Sequence, residues 1–194
     1  MSSKNSDSEG LFGTVKVGFG AGLVAGCAIF SSFLSIDQQI NIPHGTFYKT
    51  IGIPMGVEGL AAVGIGLIMH MVVAALIGSM YVLASNIWRF FRLVTVPKAI
   101  MTGVFTGLIV FTLAFLPIHM FVMTPIMEVE LIITDISDFD LKEQEALAIL
   151  LFNSDKIYYH AFILHVIFGA IMGLMAGFIL NEDYSKVERI GKFW

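Results

Sequence analysis

Residues 59–87, GLAAVGIGLIMHMVVAALIGSMYVLASNI, contain no charged side chain. A helix needs about 20 mostly apolar residues to cross a bilayer, because the hydrocarbon core is about 30 Å thick. Three further uncharged stretches also meet this requirement, namely Val17–Ile36, Ala99–Met127 and Ile157–Leu180. The sequence therefore predicts an all-α, polytopic membrane protein in which four transmembrane helices form a bundle.

The composition leaves little room for anything outside the membrane. Of the 194 residues 57% are hydrophobic, and the mean hydropathy is +0.85, whereas soluble domains are about 45–50% apolar. Only short segments precede, separate and follow the four spans. We therefore expect residues 1–194 to form a single membrane domain.

The basic residues predict how the chain is oriented. The turn Trp88–Lys98 contains Arg89, Arg92 and Lys98 but no acid, and short loops rich in Lys and Arg stay in the cytoplasm. With four spans, both termini then also lie inside a cytoplasmic (inner) membrane. The segments predicted to be outside contain only three of the eleven basic residues, Lys49, Lys142 and Lys156.

Small residues recur at every fourth position in each span, a GxxxG-type glycine zipper. Such a stripe leaves a flat helix face that another backbone can approach closely. We expect the stripes to pack the first span against the second and the third against the fourth. The predicted packing glycines are Gly18, Gly22, Gly26, Gly66, Gly78, Gly103, Gly107, Gly169, Gly173 and Gly177.

The two halves of the chain resemble each other. Residues 67–70, LIMH, resemble residues 162–165, FILH, and the same alignment places Gly78 on Gly173. Residues 22–24, GLV, similarly match residues 107–109, GLI. This pattern predicts a parallel repeat of two helical hairpins, related by an axis along the membrane normal.

The two outer segments differ in character. Asp37–Glu58 contains prolines and glycines and is predicted to be a loop with turns. Glu128–Lys156 is longer and acidic, and Ser137 followed by Asp140 resembles a helix start. Its apolar side predicts a short amphipathic helix between the third and fourth spans, either on the interface or packed over the bundle. That side consists of Ala146, Leu147, Ile149, Leu150 and Leu151.

His70 and His165 are the main candidates for a functional site. Their positions correspond to depths of about 16 and 12 Å at about 1.5 Å per residue, and ionisable residues at such depths indicate function. Three hypotheses remain open. In the first, the histidines are neutral and hydrogen-bonded across helices. In the second, they are the two axial ligands of a haem b. In the third, they form part of a proton or ion path.

A second group of candidates lies toward the outer face. His119, His160 and Glu128 combine imidazole and carboxylate, which suit zinc, copper or iron. No tight spacing such as H-x3-H supports this metal site. The chain also lacks a Walker A loop, H-E-x-x-H, G-x-S-x-G and C-x-x-C, so no nucleotide use, hydrolysis or nucleic-acid binding is predicted.

The order of these features resembles the YagU-type family of small inner-membrane proteins of unknown function. The resemblance implies an inner-membrane location but no established reaction. Its motifs are Gly18-x-x-Ala21-Gly22-x-x-Ala25-Gly26, His70 with Gly78 and Tyr81, Gly103-x3-Gly107 with Pro117, and His165.

Because no catalytic group is evident, the leading hypothesis is a non-enzymatic scaffold or accessory subunit of a membrane complex. Lipid, other membrane subunits or further copies of the chain are the expected partners, and outward-facing glycine stripes would offer the contacts. One alternative is a haem- or metal-binding electron-transfer subunit that uses His70 and His165. The other alternative is a small ion or proton transporter.

Overall fold

The computed structural model describes residues 3–133, 141–152 and 154–185, and every regular element in these ranges is helical. Short 3-10 turns occupy Ile53–Met55 and Arg89–Phe91, and π-helical turns occupy Phe111–Phe115 and His119–Met123. The α-helices are α1 (Ser3–Gln39), α2 (Thr46–Gly52), α3 (Gly59–Ile87), α4 (Val96–Val110), α5 (Leu116–Ile118), α6 (Thr124–Ile133), α7 (Leu141–Phe152) and α8 (Ser154–Ser185).

Within the described residues, four helices are long and apolar enough to cross a membrane. They are Phe12–Gln39, Gly59–Ile87, Val96–Val129 and Lys156–Leu180, so the predicted all-α protein with four membrane helices is confirmed. The third span runs from α4 through the two π-helical turns into α6. Those turns precede Pro117 and Pro125, which have no N–H with which to continue the regular helical bonding.

The chain forms two compact units. The first unit comprises Met1–Ala28, Met71–Leu108 and Val166–Trp194, and the second comprises Ile29–His70 and Ile109–His165.

In the first unit, α1 and α3 touch through their backbones. A Cβ placed on Gly18 would collide with the carbonyl of Gly78, and one on Gly22 would collide with the carbonyl of Ala74. Moving four residues forward along α1 therefore moves the contact four residues back along α3. The two helices are antiparallel, and no side chain larger than hydrogen fits at Gly18 or Gly22.

The helices α4 and α8 make the same kind of contact. Gly103 meets the backbone of Gly169, and Gly173 meets that of Ala99. Gly177 lies against Ala99, whereas Gly66, in the second unit, lies against the backbone of Tyr48 rather than α1. The remaining predicted packing glycines, Gly26 and Gly107, are buried.

The contacts in the first unit correct one register of the predicted repeat. Gly78 and Gly173 correspond, as the alignment of the histidines requires, and their partners are Gly18 and Ala99. One turn further along, Gly22 opposes Ala74 in the first hairpin, and Gly103 opposes Gly169 in the second. In these contacts Gly22 therefore corresponds to Gly103. The sequence alignment had instead paired Gly22 with Gly107, which lies one helical turn later. Small residues every four positions allow both alignments.

A buried tyrosine connects α3 to α4 in the first unit. Tyr81 is 1% exposed, and its hydroxyl donates to the Ala99 carbonyl at 2.7 Å. The same hydroxyl lies 2.9 Å from the Thr102 hydroxyl. These bonds supply the polar partners that a phenol needs when water is excluded.

In the second unit, the segment predicted to be a loop contains the helix α2. Gly45 begins it in the left-handed region, with φ of 90°, which glycine adopts without strain. Asp37 is fully buried, and its carboxylate accepts the N–H of Gly45 at 2.7 Å and of Phe47 at 3.3 Å. These are N–H groups at a helix start, which lack partners within the helix. The prediction of a loop was wrong because this partner, Asp37, lies nine residues before α2 begins.

The helix α7 covers the second unit. Its Leu147 packs in a cluster with Ile53, Ala62 and Met127. A neighbouring cluster consists of Ala146 and Leu150 with Ile42 and Ile157. The predicted amphipathic helix between the third and fourth spans is therefore present, and its apolar side packs onto the protein. The predicted start at Ser137–Asp140 lies outside the described residues.

Substitution of Gly78 tests the backbone contact, and Gly64 in the same helix is the matched control. A Cβ on Gly78 would collide with the backbone of Gly18 and Gly22, whereas nothing lies within 4 Å of one on Gly64. We expect Gly78→Ala to lower the free energy of unfolding by about 1–3 kcal/mol through overpacking. Gly64→Ala should leave it unchanged or raise it by up to about 1 kcal/mol. Denaturant unfolding in detergent, followed by circular dichroism, measures both, and equal effects would contradict this packing.

Candidate functional site

His70 lies on α3 among aromatic rings of the second unit. The ring centroid of Phe33, near the C-terminal end of α1, is 5.2 Å from the imidazole centroid, and the two rings are nearly perpendicular. Tyr48 of α2 approaches edge-on at 5.9 Å. Both rings are buried, so they shield the imidazole on two sides with apolar surface.

The Nε2 atom of His70 has no hydrogen-bond partner in the part of the chain that the structure describes, although it is buried. A buried polar atom without a partner costs about 1–3 kcal/mol, and native proteins contain few of them. Such an atom requires a specific explanation, and a missing ligand is one.

His165 lies on α8 and is held in a defined orientation. Its Nδ1 lies 2.7 Å from the carbonyl of Ala161, one turn earlier in the same helix. The carbonyl can only accept, so Nδ1 carries the hydrogen and Nε2 keeps its lone pair. The rings of Phe111 and Phe115 pack against this imidazole at centroid distances of 5.6 and 5.2 Å.

The two imidazoles belong to the same compact unit. The His165 Nδ1 bond stays within one helix, and His70 Nε2 makes no bond. One hypothesis was that the histidines are neutral and hydrogen-bonded across helices. Neither His165 Nδ1 nor His70 Nε2 provides such a bond between helices. The Nδ1–H of His165 bonds a backbone carbonyl, and metal-ligating histidines usually make this kind of bond.

The outer candidates do not assemble into a metal site. Among the side chains that the structure describes, no group of three His, Cys, Asp or Glu residues is placed to hold an ion. His119 is buried, and its Nδ1 lies 3.3 Å from the Tyr158 hydroxyl. The ring of His160 packs against Tyr159, and Glu128 is exposed. The structure therefore gives no support to the predicted site at His119, His160 and Glu128, because aromatic rings are the neighbours found for the two imidazoles.

Sequence reasoning missed the aromatic enclosure of the histidine pair. Phe111 and Phe115 are four residues apart and share a helix face, a spacing that could have indicated a ring cluster. Tyr48 and Phe33 carried no such signal, because they reach His70 from two other helices, α2 and α1.

Comparison with protein-family models, curated proteins and solved structures finds no match to this chain. The resemblance to the YagU-type family therefore stays a prediction.

Replacement of His70 by an apolar ring tests whether Nε2 lacks a partner. In ligand-free protein, we expect His70→Phe either to keep the free energy of unfolding within about 0.5 kcal/mol of the wild-type value or to raise it, because an unpaired buried atom is removed. Tyr81→Phe, in the same helix, should lower it by about 1 kcal/mol or more through loss of the bonds to Ala99 and Thr102. Denaturant unfolding in detergent compares them, and a loss of more than about 1 kcal/mol for His70→Phe would indicate a structural bond.

Proposed function

We propose that this protein is a small, non-catalytic subunit of a membrane complex and that its His70 and His165 bind haem b for electron transfer. The observation that carries this proposal is the pair of enclosed imidazoles in one unit. One of them has a buried Nε2 without a partner, and the other has its Nδ1 tied to a carbonyl.

The number of ligands favours haem over a bare metal ion. Zinc and similar ions take four or more ligands, mostly from protein. The described side chains offer no group of three such ligands. Haem supplies its own equatorial nitrogens, so two imidazoles complete its coordination. If His70 and His165 both held a haem, the group would supply one-electron transfer rather than a position for a substrate.

The role as a subunit is supported by the surfaces of the second and third spans. In the most apolar 18-residue stretch of the second span, and also in that of the third, only 22% is buried inside the chain. The corresponding fractions are 39% for the first span and 44% for the fourth. Large apolar side chains such as Ile68, Leu76 and Met80 are more than half exposed. These faces suit lipid and a partner subunit or second copy. The contacting glycines, by contrast, are used within the chain.

Haem binding is tested by native purification from the source membrane, with absorbance spectra and mass spectrometry. We expect a Soret band in the wild type, and its loss in both His70→Ala and His165→Ala. His44→Ala is the control, because His44 is an exposed residue of the outer segment, and it should keep the band.

A folded, fully pure protein without pigment would overturn the haem proposal. Proton flux in vesicles, abolished by His70→Ala but not by His44→Ala, would then favour the transporter. Co-purification of a defined partner without such flux would favour the plain accessory subunit.

The orientation of the chain is part of the same proposal. We place both termini and the turn 88–98 on the cytoplasmic side of the inner membrane, supported by the basic residues of that turn and by exposed Trp88 and Phe90 near the membrane surface.

Labelling of single cysteines tests this orientation in a Cys27→Ser background. Phe90 and Met55 are 58% and 55% exposed and lie in the inner turn and the outer segment. A membrane-impermeant maleimide should modify the Met55→Cys protein on intact cells, and the Phe90→Cys protein only after permeabilisation. The reverse pattern would place the basic turn outside.

A further inference from the structure

The short helix α2 packs along α3 in the opposite direction. A Cβ on Gly66 would collide with the carbonyl of Tyr48, and one on Gly52 would collide with the carbonyl of Ala62. Moving four residues forward along α2 therefore moves the contact four residues back along α3. Because α3 enters the membrane at its N-terminus, α2 begins at its deeper end and runs back toward the membrane surface at which α1 ends and α3 begins.

The two neighbouring helices place the start of α2 at the same depth. Gly66 lies seven residues beyond the start of α3, and Phe33 lies six residues before the end of α1. At about 1.5 Å per residue, both positions are about 10 Å from those helix ends. The Tyr48 ring packs against Phe33 at a centroid distance of 5.2 Å and against Phe30 at 5.8 Å. The segment between α1 and α3 therefore re-enters the bilayer region instead of staying on its surface.

Asp37 bonds the backbone where the chain reverses from α1 into α2. A re-entrant segment must satisfy its backbone polar groups inside the protein, because no water is available at that depth. The fully buried Asp37 carboxylate accepts the N–H groups of Gly45 and Phe47. Its main-chain carbonyl accepts the N–H of Ile42 at 2.9 Å. One residue therefore anchors the whole reversal.

The position of α2 closes one side of His70. Gly66 and His70 are one turn apart and share a face of α3, and α2 occupies that face from Gly66 toward the membrane surface. Tyr48 then lies against the imidazole. Its neighbour Phe47 packs against Phe33 at 4.7 Å and against the apolar cluster to which α7 contributes. The helix α2 therefore lies between His70 and the surface from which α3 enters.

We propose that α2 is a re-entrant plug that closes the approach to His70 from this side of the membrane, and that Asp37 and the contact at Gly66 hold it in place. A route to His70 from this side then requires α2 to move. Glycines in the left-handed region bound the segment, Gly45 with φ of 90° and Gly56 with φ of 77°, and glycine allows the backbone to pivot at little steric cost. The inference does not depend on the haem proposal.

Thiol labelling at position 70 tests the plug. The full chain carries Cys27→Ser and His70→Cys and is reconstituted in lipid nanodiscs, which leave both membrane faces open to water. A small charged methanethiosulfonate modifies thiols that water reaches. We expect position 70 to react slowly, whereas Met55→Cys in the Cys27→Ser background, at an exposed position, should react fast. Because the His70→Cys protein lacks one proposed haem ligand, the result is the same whether or not the wild type binds haem.

Two further substitutions release the plug. Gly66→Ala should raise the labelling rate at position 70 at least about tenfold, because the carbonyl of Tyr48 leaves no room for a Cβ and α2 must move away. Asp37→Asn should act in the same direction, because hydrogen bonds to a charged group are lost. Gly64→Ala is the matched control, since nothing lies within 4 Å of its Cβ, and it should leave the rate unchanged.

Three outcomes would overturn the inference. They are fast labelling of position 70 while α2 is intact, unchanged labelling in both Gly66→Ala and Asp37→Asn, and an equal rise in Gly64→Ala. Circular dichroism establishes that each variant is folded, and if one of the two release variants does not fold, the other decides. Gly78→Ala disturbs a backbone contact of the first unit, so a rise in that variant would indicate general loosening rather than release of α2.

Discussion

Close contact between helix backbones across glycine is the interaction on which the rest of this structure depends. Lipid tails are as apolar as leucine, so hydrophobicity alone does not select one arrangement of membrane helices. Where Gly18 meets Gly78, and Gly103 meets Gly169, no Cβ keeps the backbones apart. Many weak dispersion contacts then accumulate along each antiparallel pair. The same contacts determine which faces of α3 and α8 turn inward.

His70 differs from two other buried polar side chains, Asp37 and Tyr81, in how its polar atoms are satisfied. Asp37 receives two backbone N–H groups, and the Tyr81 hydroxyl has both a carbonyl and a hydroxyl partner. His70 Nε2 has none among the described residues. An unpaired polar atom is especially costly where no water is available. This unpaired atom, together with the four aromatic rings around the pair, is what the haem proposal depends on.

Much of the architecture could be predicted from the sequence, and less of the site. The four spans and α7 follow from hydropathy, and the depth of His70 and His165 marked them as candidates. The helix α2 was missed because its start is capped by Asp37, at the end of α1. The structure does not bring His119, His160 and Glu128 together as a group of ligands, because similar depth along different helices does not imply shared direction. His119 faces Tyr158 instead.

By itself the sequence determined that this protein is helical and that it carries four segments able to span a bilayer. Those properties depend on length and composition along the chain, and the bilayer admits few alternatives. Only the tertiary structure decided which small residues oppose each other, because a stripe that repeats every four residues fits equally well one turn away. It also decided which ring nitrogens of the histidines are bonded. Those bonds depend on neighbours brought close by packing, which no local pattern reports.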